Sequence, residues 1–292
     1  MKHIIPISGK DSLATAIIQR QLNPNIEYEY IFNPTGKELP ETIEWLKKVE
    51  ETLNIEIKFI GYDMRETKEW RAGFRPAIFA RWCTKLCKIK PMEDYFDCEG
   101  IVYYGLRSDE PERIGFINKG KSELTPKYPL RENNIDLNGV LKIVSEVGLQ
   151  PPTFHWQLLE DAFRNYLGDI TLNEMFTPYQ LIQLFAWRTR NNCYDCFNMK
   201  KIEWVGLAEF HPDIFWKVVD EEEVLDTREK HFYTIKDYPL RQLYLDRFTI
   251  IEKHIKRTLM VIHKRKQYKL WGTDFLFEDL LSTTSCGLLC GK

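Results

Sequence analysis

Ser8-Gly9-Lys10-Asp11-Ser12 is the stretch of this chain best suited to hold an anion. It follows the apolar run Ile4–Ile7 and precedes Leu13-Ala14-Thr15-Ala16-Ile17-Ile18, a pattern that reads as strand, loop, helix. The first N–H groups of such a helix have no intrahelical partner and carry partial positive charge, so they favour phosphate. Gly9 allows close backbone approach, Lys10 adds a formal charge, and Ser8 and Ser12 add hydroxyl donors. Asp11 would repel a phosphate directly; its expected task is to hold Mg²⁺, which would bridge the phosphates. The loop is too short for a Walker A sequence. The plain alternative is an ordinary strand-to-helix turn. A second cluster, Arg107, Glu110 and Arg113, follows the apolar run Ile101–Gly105. Arg107 suits bidentate contact with phosphate or sulfate oxygens; alternatively the three form surface ion pairs worth little.

Four cysteines have metal-ligand spacing. Cys83 and Cys87 are four residues apart and share one face if helical, and Cys193-Tyr194-Asp195-Cys196 is a Cys-x-x-Cys. Four thiolates from two distant pairs suit a [4Fe–4S] cluster or, alternatively, Zn²⁺. Arg81, Lys85, Lys88 and Lys90 would lower the thiol pKa values and offset the cluster's charge, or hold a polyanion. Buried, inert cysteines are the competing reading. Near the end of the sequence, Cys286 and Cys290 could relay a persulfide, form a resolving disulfide, or belong to a frayed terminus. Cys98 carries no signal beyond a core or loop position.

Lys253–Lys269 holds seven Lys and Arg side chains, with Ile251, Ile255, Leu259 and Ile262 at helical spacing. Such a helix could contact a nucleic-acid backbone through its phosphates, or be a solvated face paired with the acidic run 220–223. The six histidines show no metal-ligand spacing.

These groups need a scaffold. Apolar or β-branched runs at Ile4–Ile7, Tyr28–Phe32, Ile55–Ile60 and Ile101–Gly105 alternate with helical patterns at Ser12–Gln21 and Pro40–Leu53. That alternation predicts βαβ units and a doubly wound, mostly parallel Rossmann-like α/β sheet. Ligands bind such sheets at the carboxyl ends of the strands, where both the Ser8–Ser12 loop and the Arg107 loop emerge. Residues 116–155, rich in Gly, Pro and Asn, read as a loop-rich connection between a nucleotide-binding domain (1–115) and a mainly helical part (156–292). Helical patterns there cover Trp156–Tyr166, Pro178–Arg190, Met199–Phe210, Pro212–Glu223 and Leu243–Lys266.

The chain has 292 residues, a formal net charge of −2 and 29% charged residues. No bulk charge therefore draws it to polyanions, and any such site must be local. No apolar run approaches the roughly 20 residues that span a bilayer, and the start lacks a signal-peptide core. A cytoplasmic protein with no membrane partner is expected, where seven cysteines point to metal binding or catalysis rather than disulfides.

The order Gly-Lys-Asp-Ser after the first strand resembles the PP-loop of the ATP pyrophosphatases, whose usual form is Ser-Gly-Gly-x-Asp-Ser; Ile7 and Ser8 stand where Ser and Gly are usual. Thr35-Gly36 followed by Pro40-Glu41-Thr42 resembles the Asp-Thr-Gly…Pro-Glu-Thr segment of the phosphoadenosine phosphosulfate (PAPS) reductases, with Pro34 in place of Asp. Gly105-Leu106-Arg107…Glu110…Arg113 is similar to a third segment of that family. The resemblance covers about residues 1–115 well and Cys193 onward weakly. It implies an adenine-nucleotide site built from Ser8, Gly9, Lys10, Asp11, Ser12, Thr35, Gly36, Arg107, Glu110 and Arg113. It implies ATP as cosubstrate, attack on the α-phosphate with release of AMP and pyrophosphate, and sulfur transfer with a cysteine desulfurase as donor. DNA phosphorothioation is the sharpest version. The alternatives are a sulfonucleotide reductase, whose reactive tail cysteine would be Cys286, and a zinc-stapled nucleotide-binding adaptor without activity. The tail lacks the family's preceding Glu and following His.

Overall fold

The structure, a computed structural model, describes residues 1–77, 80–96, 99–113, 124–229 and 238–268. The chain divides into two compact units. The first comprises Met1–Pro152 with Asn191–Tyr194; the second comprises Thr153–Arg190 and the described residues from Asp195.

The first unit is a five-stranded sheet, β1 (Lys2–Pro6), β2 (Glu29–Phe32), β3 (Ile57–Phe59), β4 (Gly100–Tyr103) and β5 (Leu124–Lys127), in the order β3-β2-β1-β4-β5. Every pairing is parallel, with Ile4 opposite Glu29 on one side and Val102 on the other. The helices are α1 (Lys10–Leu22), α2 (Pro40–Leu53), the short α3 (Lys68–Arg71), α4 (Trp82–Thr84), α5 (Lys90–Tyr95), α6 (Pro129–Glu132) and α7 (Leu137–Glu146). Side chains alternate along each strand, and this divides the core in two. Ile5, Tyr30, Phe32 and Tyr103 pack with Leu13, Ile17, Leu46 and Val144 of α1, α2 and α7. Ile4, Ile31, Val102 and Tyr104 pack with Met92 and Phe96 at α5. Strands buried on both faces read as continuous apolar runs, which is why β1, β2 and β4 stood out in the sequence. α2 begins at Pro40, where a missing N–H costs nothing, and ends on Asn54 in the left-handed conformation (φ 49°).

Residues 116–155 are more than a connection: they supply β5, α6 and α7. The breakers that made the stretch look like loop sit at places that tolerate them. Pro126 lies in an edge strand, Pro129 opens α6, and Gly148 turns with φ 68°.

The second unit holds α8 (Gln157–Leu167), α9 (Asp169–Met175), α10 (Pro178–Leu184), α11 (Lys201–Phe210), α12 (Pro212–Glu229), α13 (Leu240–Leu245) and α14 (Arg247–Tyr268). It also holds an antiparallel pair, β6 (Phe154–His155) and β7 (Ala186–Arg188). The helix expected over Pro178–Arg190 therefore stops at Leu184, because Ala186–Arg188 pairs with Phe154–His155 instead. The helix expected over Leu243–Lys266 is broken at Asp246 into α13 and α14. In α11, Gly206 lets the Trp187 ring lie against the helix; a Cβ there would fall 2.4 Å from that ring.

Candidate nucleotide site

The Ser8–Ser12 loop leaves β1 and enters α1 at its N-terminus. Gly9 is the N-cap, in extended backbone. The N–H groups of Ser8 and Gly9 donate to Ser12 Oγ at 2.9 and 3.1 Å, and that hydroxyl donates to Gly9 O at 2.9 Å. Ser12 thus closes the loop on itself rather than offering its hydroxyl outward.

Arg107, 96 residues beyond Asp11, meets Lys10 and Asp11 here. Lys10 Nζ lies 3.2 Å from Asp11 Oδ2, and Arg107 donates to Asp11 Oδ1 at 3.3 Å. Burial alone would push the Asp11 carboxyl up; Lys10 and Arg107 outweigh it and hold the group below its ordinary 3.8, ionised at neutral pH. Arg107 is 8% exposed. Burial works against its charge, but Asp11, Asp109 and Glu110 prevail and keep it protonated. Its Nε donates to Asp109 at 2.8 Å, and Arg113 donates to Glu110 at 2.8 Å. Arg131, from the stretch that looked like loop, anchors the Arg107 segment from behind by donating to the carbonyls of Glu110 and Arg113 at 2.7 and 3.0 Å.

Gly105 makes this convergence possible. A Cβ on it would stand 2.6 Å from the Asp11 carbonyl carbon and 2.7 Å from Ser12 N, so only glycine lets the chain leaving β4 pass against the first turn of α1.

The loop after β2 is held rigidly. Thr35 donates to Glu38 Oε1 through both N (2.8 Å) and Oγ1 (2.6 Å). Gly36 has φ 74°, with the Asp63 carboxylate where a side chain would be. Lys37 is fully buried, with its ammonium 4.5 Å from the Trp70 ring and 5.2 Å from the Tyr194 ring. Residues 191–194 are tied to this loop. Tyr194 N donates to Lys37 O at 2.7 Å, and Cys193 Sγ lies 3.2 Å from Thr35 Oγ1. A cavity beside the loop is lined by Ile7, Ser8, Phe32, Asn33, Glu38 and Asn191, among others. Asn33 begins the Asn33–Gly36 loop that the sequence offered as a wall and backbone partner for an adenine; Asn191 was not singled out, because no spacing marks a lone amide.

Of the four expected thiol ligands, Cys83, Cys87 and Cys193 belong to the first unit and Cys196 to the second. Among the described residues no group of three or more Cys, His, Asp or Glu side chains is placed to hold a metal ion. Between α4 and α5 the helix widens to a π-turn (Lys85–Ile89), and Cys87 within it is 0% exposed. Burial, then the neighbouring Cys83, pushes the Cys87 thiol up to about 12. Asp11, by contrast, is an ionised oxygen donor of the kind Mg²⁺ takes. Cys98, Cys286 and Cys290 lie outside the described residues.

The basic helix is partly described. On α14, Lys253, Lys256 and Arg257 are exposed, while Ile250, Ile251, Leu259 and Ile262 are buried. Lys256 pairs with Glu252 of its own helix. Burial, then Lys200 and Arg257, pushes His254 down to about 4, so it adds no charge at pH 7. The acidic run is engaged by α13: Glu223 pairs with Arg241, and Glu222 accepts from Leu240 N at 2.7 Å. The side chains of 264–268 and residue 269 fall outside the description.

A parallel sheet whose β1 and β4 loops bring a helix N-terminus, a lysine and an arginine together is the framework of a nucleotide-binding α/β domain. Residues 2–115 match the phosphoadenosine phosphosulfate reductase domain. An uncharacterised protein of Methanocaldococcus jannaschii is 25% identical over 240 residues, which is 79% of this chain. The chain spans about half (51%) of that relative's length. Two solved structures are similar. PAPS reductase from Candida auris, in a phosphate complex, has 16% identity over 50% of this chain and 72% of its own, with a TM-score of 0.37. The U34-tRNA thiolase NcsA from Methanococcus maripaludis, with its [4Fe–4S] cluster, has 14% identity over 82% of this chain and 78% of its own, also with a TM-score of 0.37. Among the described residues no helix is long and apolar enough to cross a membrane.

Proposed function

We propose that this protein is an ATP pyrophosphatase-type enzyme that adenylylates an acceptor for sulfur transfer. The observation that carries the reading is the meeting of Lys10, Asp11 and Arg107 at the N-terminus of α1, against Gly105. Two cations paired to one carboxylate form a site that trades partners: polyphosphate oxygens take Lys10 and Arg107, and Asp11 is left to a divalent cation. Mg²⁺ at Asp11 would offset the polyphosphate charge. An acceptor oxygen then attacks the α-phosphorus, forming an O–P bond. The bond to the bridging oxygen of the β-phosphate breaks, and pyrophosphate leaves with the electron pair. Hydrosulfide, released from a cysteine desulfurase's persulfide by an external thiol reductant, next displaces AMP from the acceptor: the bond to sulfur forms as the bond to the AMP oxygen breaks, and AMP leaves with the electron pair. Lys10 and the first-turn N–H groups stabilise the charge that develops on the α-phosphate. The exposed cations Lys253 and Arg257 of α14 support a nucleic acid as acceptor.

The test is pyrophosphate release from ATP and Mg²⁺ by anaerobically purified protein, with and without nucleic acid, beside Asp11→Ala. Release that the substitution abolishes is expected. The domain match also favours a second reading, reduction of a sulfonucleotide. Sulfite from PAPS or adenylyl sulfate, with no pyrophosphate from ATP, would establish that one instead.

A further inference from the structure

Arg107 stands in a segment that neither helix nor strand holds. From Arg107 to Arg113 the chain makes two loose turns, with Glu110 N donating to Arg107 O at 3.4 Å and Arg113 N to Glu110 O at 3.2 Å. Both bonds are longer than the ordinary backbone bond of about 2.9 Å. Pro111, between them, has no N–H to add. Such a segment does not by itself fix the aim of a long side chain, and a functional group on an irregular loop needs support from a rigid element.

The support comes from the chain that follows β5. Pro129 and Leu130 open α6, and Leu130 is 0% exposed in the core that also holds Leu13, Ile17 and Val144. That anchor projects Arg131. Its Nη2 donates to Glu110 O at 2.7 Å and to Arg113 O at 3.0 Å, and its guanidinium lies 5.8 Å from the Tyr128 ring. Ser108 N donates to Ile135 O at 3.0 Å. Three backbone points of the Arg107 segment are thus tied to residues 131–135. One cationic nitrogen shared by two carbonyls sets the spacing between them, and its bonds are stronger than the neutral turns that they brace. Braced in this way, the backbone delivers Arg107 Nη1 to Asp11 at 3.3 Å and Nε to Asp109 at 2.8 Å.

We propose that Arg131 is a positioning residue: acting through the backbone of 107–113, it aims the Arg107 guanidinium at the phosphate or sulfate oxygens of the nucleotide. This rests on the nucleotide reading above and adds to it a residue outside residues 2–115, and so outside the matched domain.

The experiment is equilibrium dialysis of the full chain against ATP with Mg²⁺. The proteins are wild type, Arg131→Met, Arg131→Lys, Arg107→Lys and the double variant Arg107→Lys/Arg131→Met. Loss of the two charge-assisted bonds should raise the Kd for ATP about tenfold in Arg131→Met. Arg131→Lys keeps a cationic donor on a shorter stem and should recover part of that loss. Coupling supplies the second readout. Arg107→Lys keeps the charge but not the fork, so the aim that Arg131 supplies no longer matters. Adding Arg131→Met there should change Kd by less than about twofold. A merely structural role would cost the same factor in both backgrounds. Dialysis gives the number of sites and the Kd separately, so a partly unfolded variant lowers the first without imitating a change in the second. Wild-type affinity in Arg131→Met, identical losses in Arg131→Met and Arg131→Lys, or an equal loss in both backgrounds would overturn the positioning role and leave nucleotide binding standing. Failure of wild type to bind ATP would overturn both.

Discussion

At the residue scale, Arg107 holds the site's charges in place. It reaches Asp11, Asp109 and Glu110 from a position only 10% exposed at the side chain. Arg107→Met would leave three carboxylates facing one another, and removing one partner from a buried pair typically costs about 3 kcal/mol. That cost should depend on pH. The folded-state pKa of Asp11 is depressed, so its contribution is present above its unfolded pKa and is lost as pH falls through the lower folded value. Urea titrations should therefore show a wide gap between wild type and Arg107→Met at pH 7, closing below about pH 4. A gap of constant size across that range would mean that the charges do not matter. Cys87 offers a second check. With its thiol pushed up to about 12, roughly one part in ten thousand is thiolate at pH 8. Iodoacetamide should alkylate it about a thousandfold more slowly than an unperturbed cysteine in native protein, and at the ordinary rate in urea. Rapid labelling of Cys87 in the native state would contradict its burial. The sequence revealed the thiol and its spacing; it could not reveal a π-turn, which depends on hydrogen bonds no side-chain pattern records.

At the element scale, the phosphate loop, the β4 loop and α1 work as one packed joint. Gly105→Ala would drive a Cβ into the backbone of Asp11 and Ser12, where no flexible side chain can yield. Overpacking of this kind costs about 1–3 kcal/mol, and the displaced turn should also lose ATP affinity. Gly9 is the contrast: nothing lies within 4 Å of the point where its Cβ would stand, and its φ of −176° suits any residue. Gly9→Ala should keep its melting temperature and still bind ATP less well, because the added methyl occupies the anion's approach. Equal melting temperatures for the two variants would show that the close approach at Gly105 is not needed for folding. Much of this joint was legible beforehand. β1, β2 and β4 are apolar runs, and Lys10, Asp11 and Arg107 follow them at the same edge of the sheet. β5 was not legible, because a four-residue edge strand containing Pro126 looks like loop until its partner is known. β7 was hidden for the opposite reason. Its Ala-Trp-Arg continues an apolar helical pattern, and only pairing with β6 ends the helix. The reach of residues 191–194 to the Thr35 loop was equally invisible, since it is a contact between segments far apart in sequence.

At the scale of the whole molecule, the proposed nucleotide site belongs to the first unit and the basic helix to the second. The proposed acceptor role of α14 can be tested separately from the chemistry. Its described cationic surface is narrower than the sequence implied. Lys256 is paired within the helix, His254 is held neutral, and Lys253 and Arg257 remain as exposed charges. Each phosphate contact adds about one to the dependence of log affinity on log salt. The double change Lys253→Glu and Arg257→Glu should therefore flatten that dependence by about two in filter-binding titrations between 50 and 200 mM salt. ATP affinity should stay at the wild-type value, because neither residue belongs to the unit that holds Lys10, Asp11 and Arg107. An unchanged salt slope with normal ATP binding would remove α14 from the acceptor site while leaving the adenylylation reading intact. A slope that flattens while pyrophosphate release falls only in the presence of nucleic acid would tie the helix to the acceptor and the α1 turn to the phosphate.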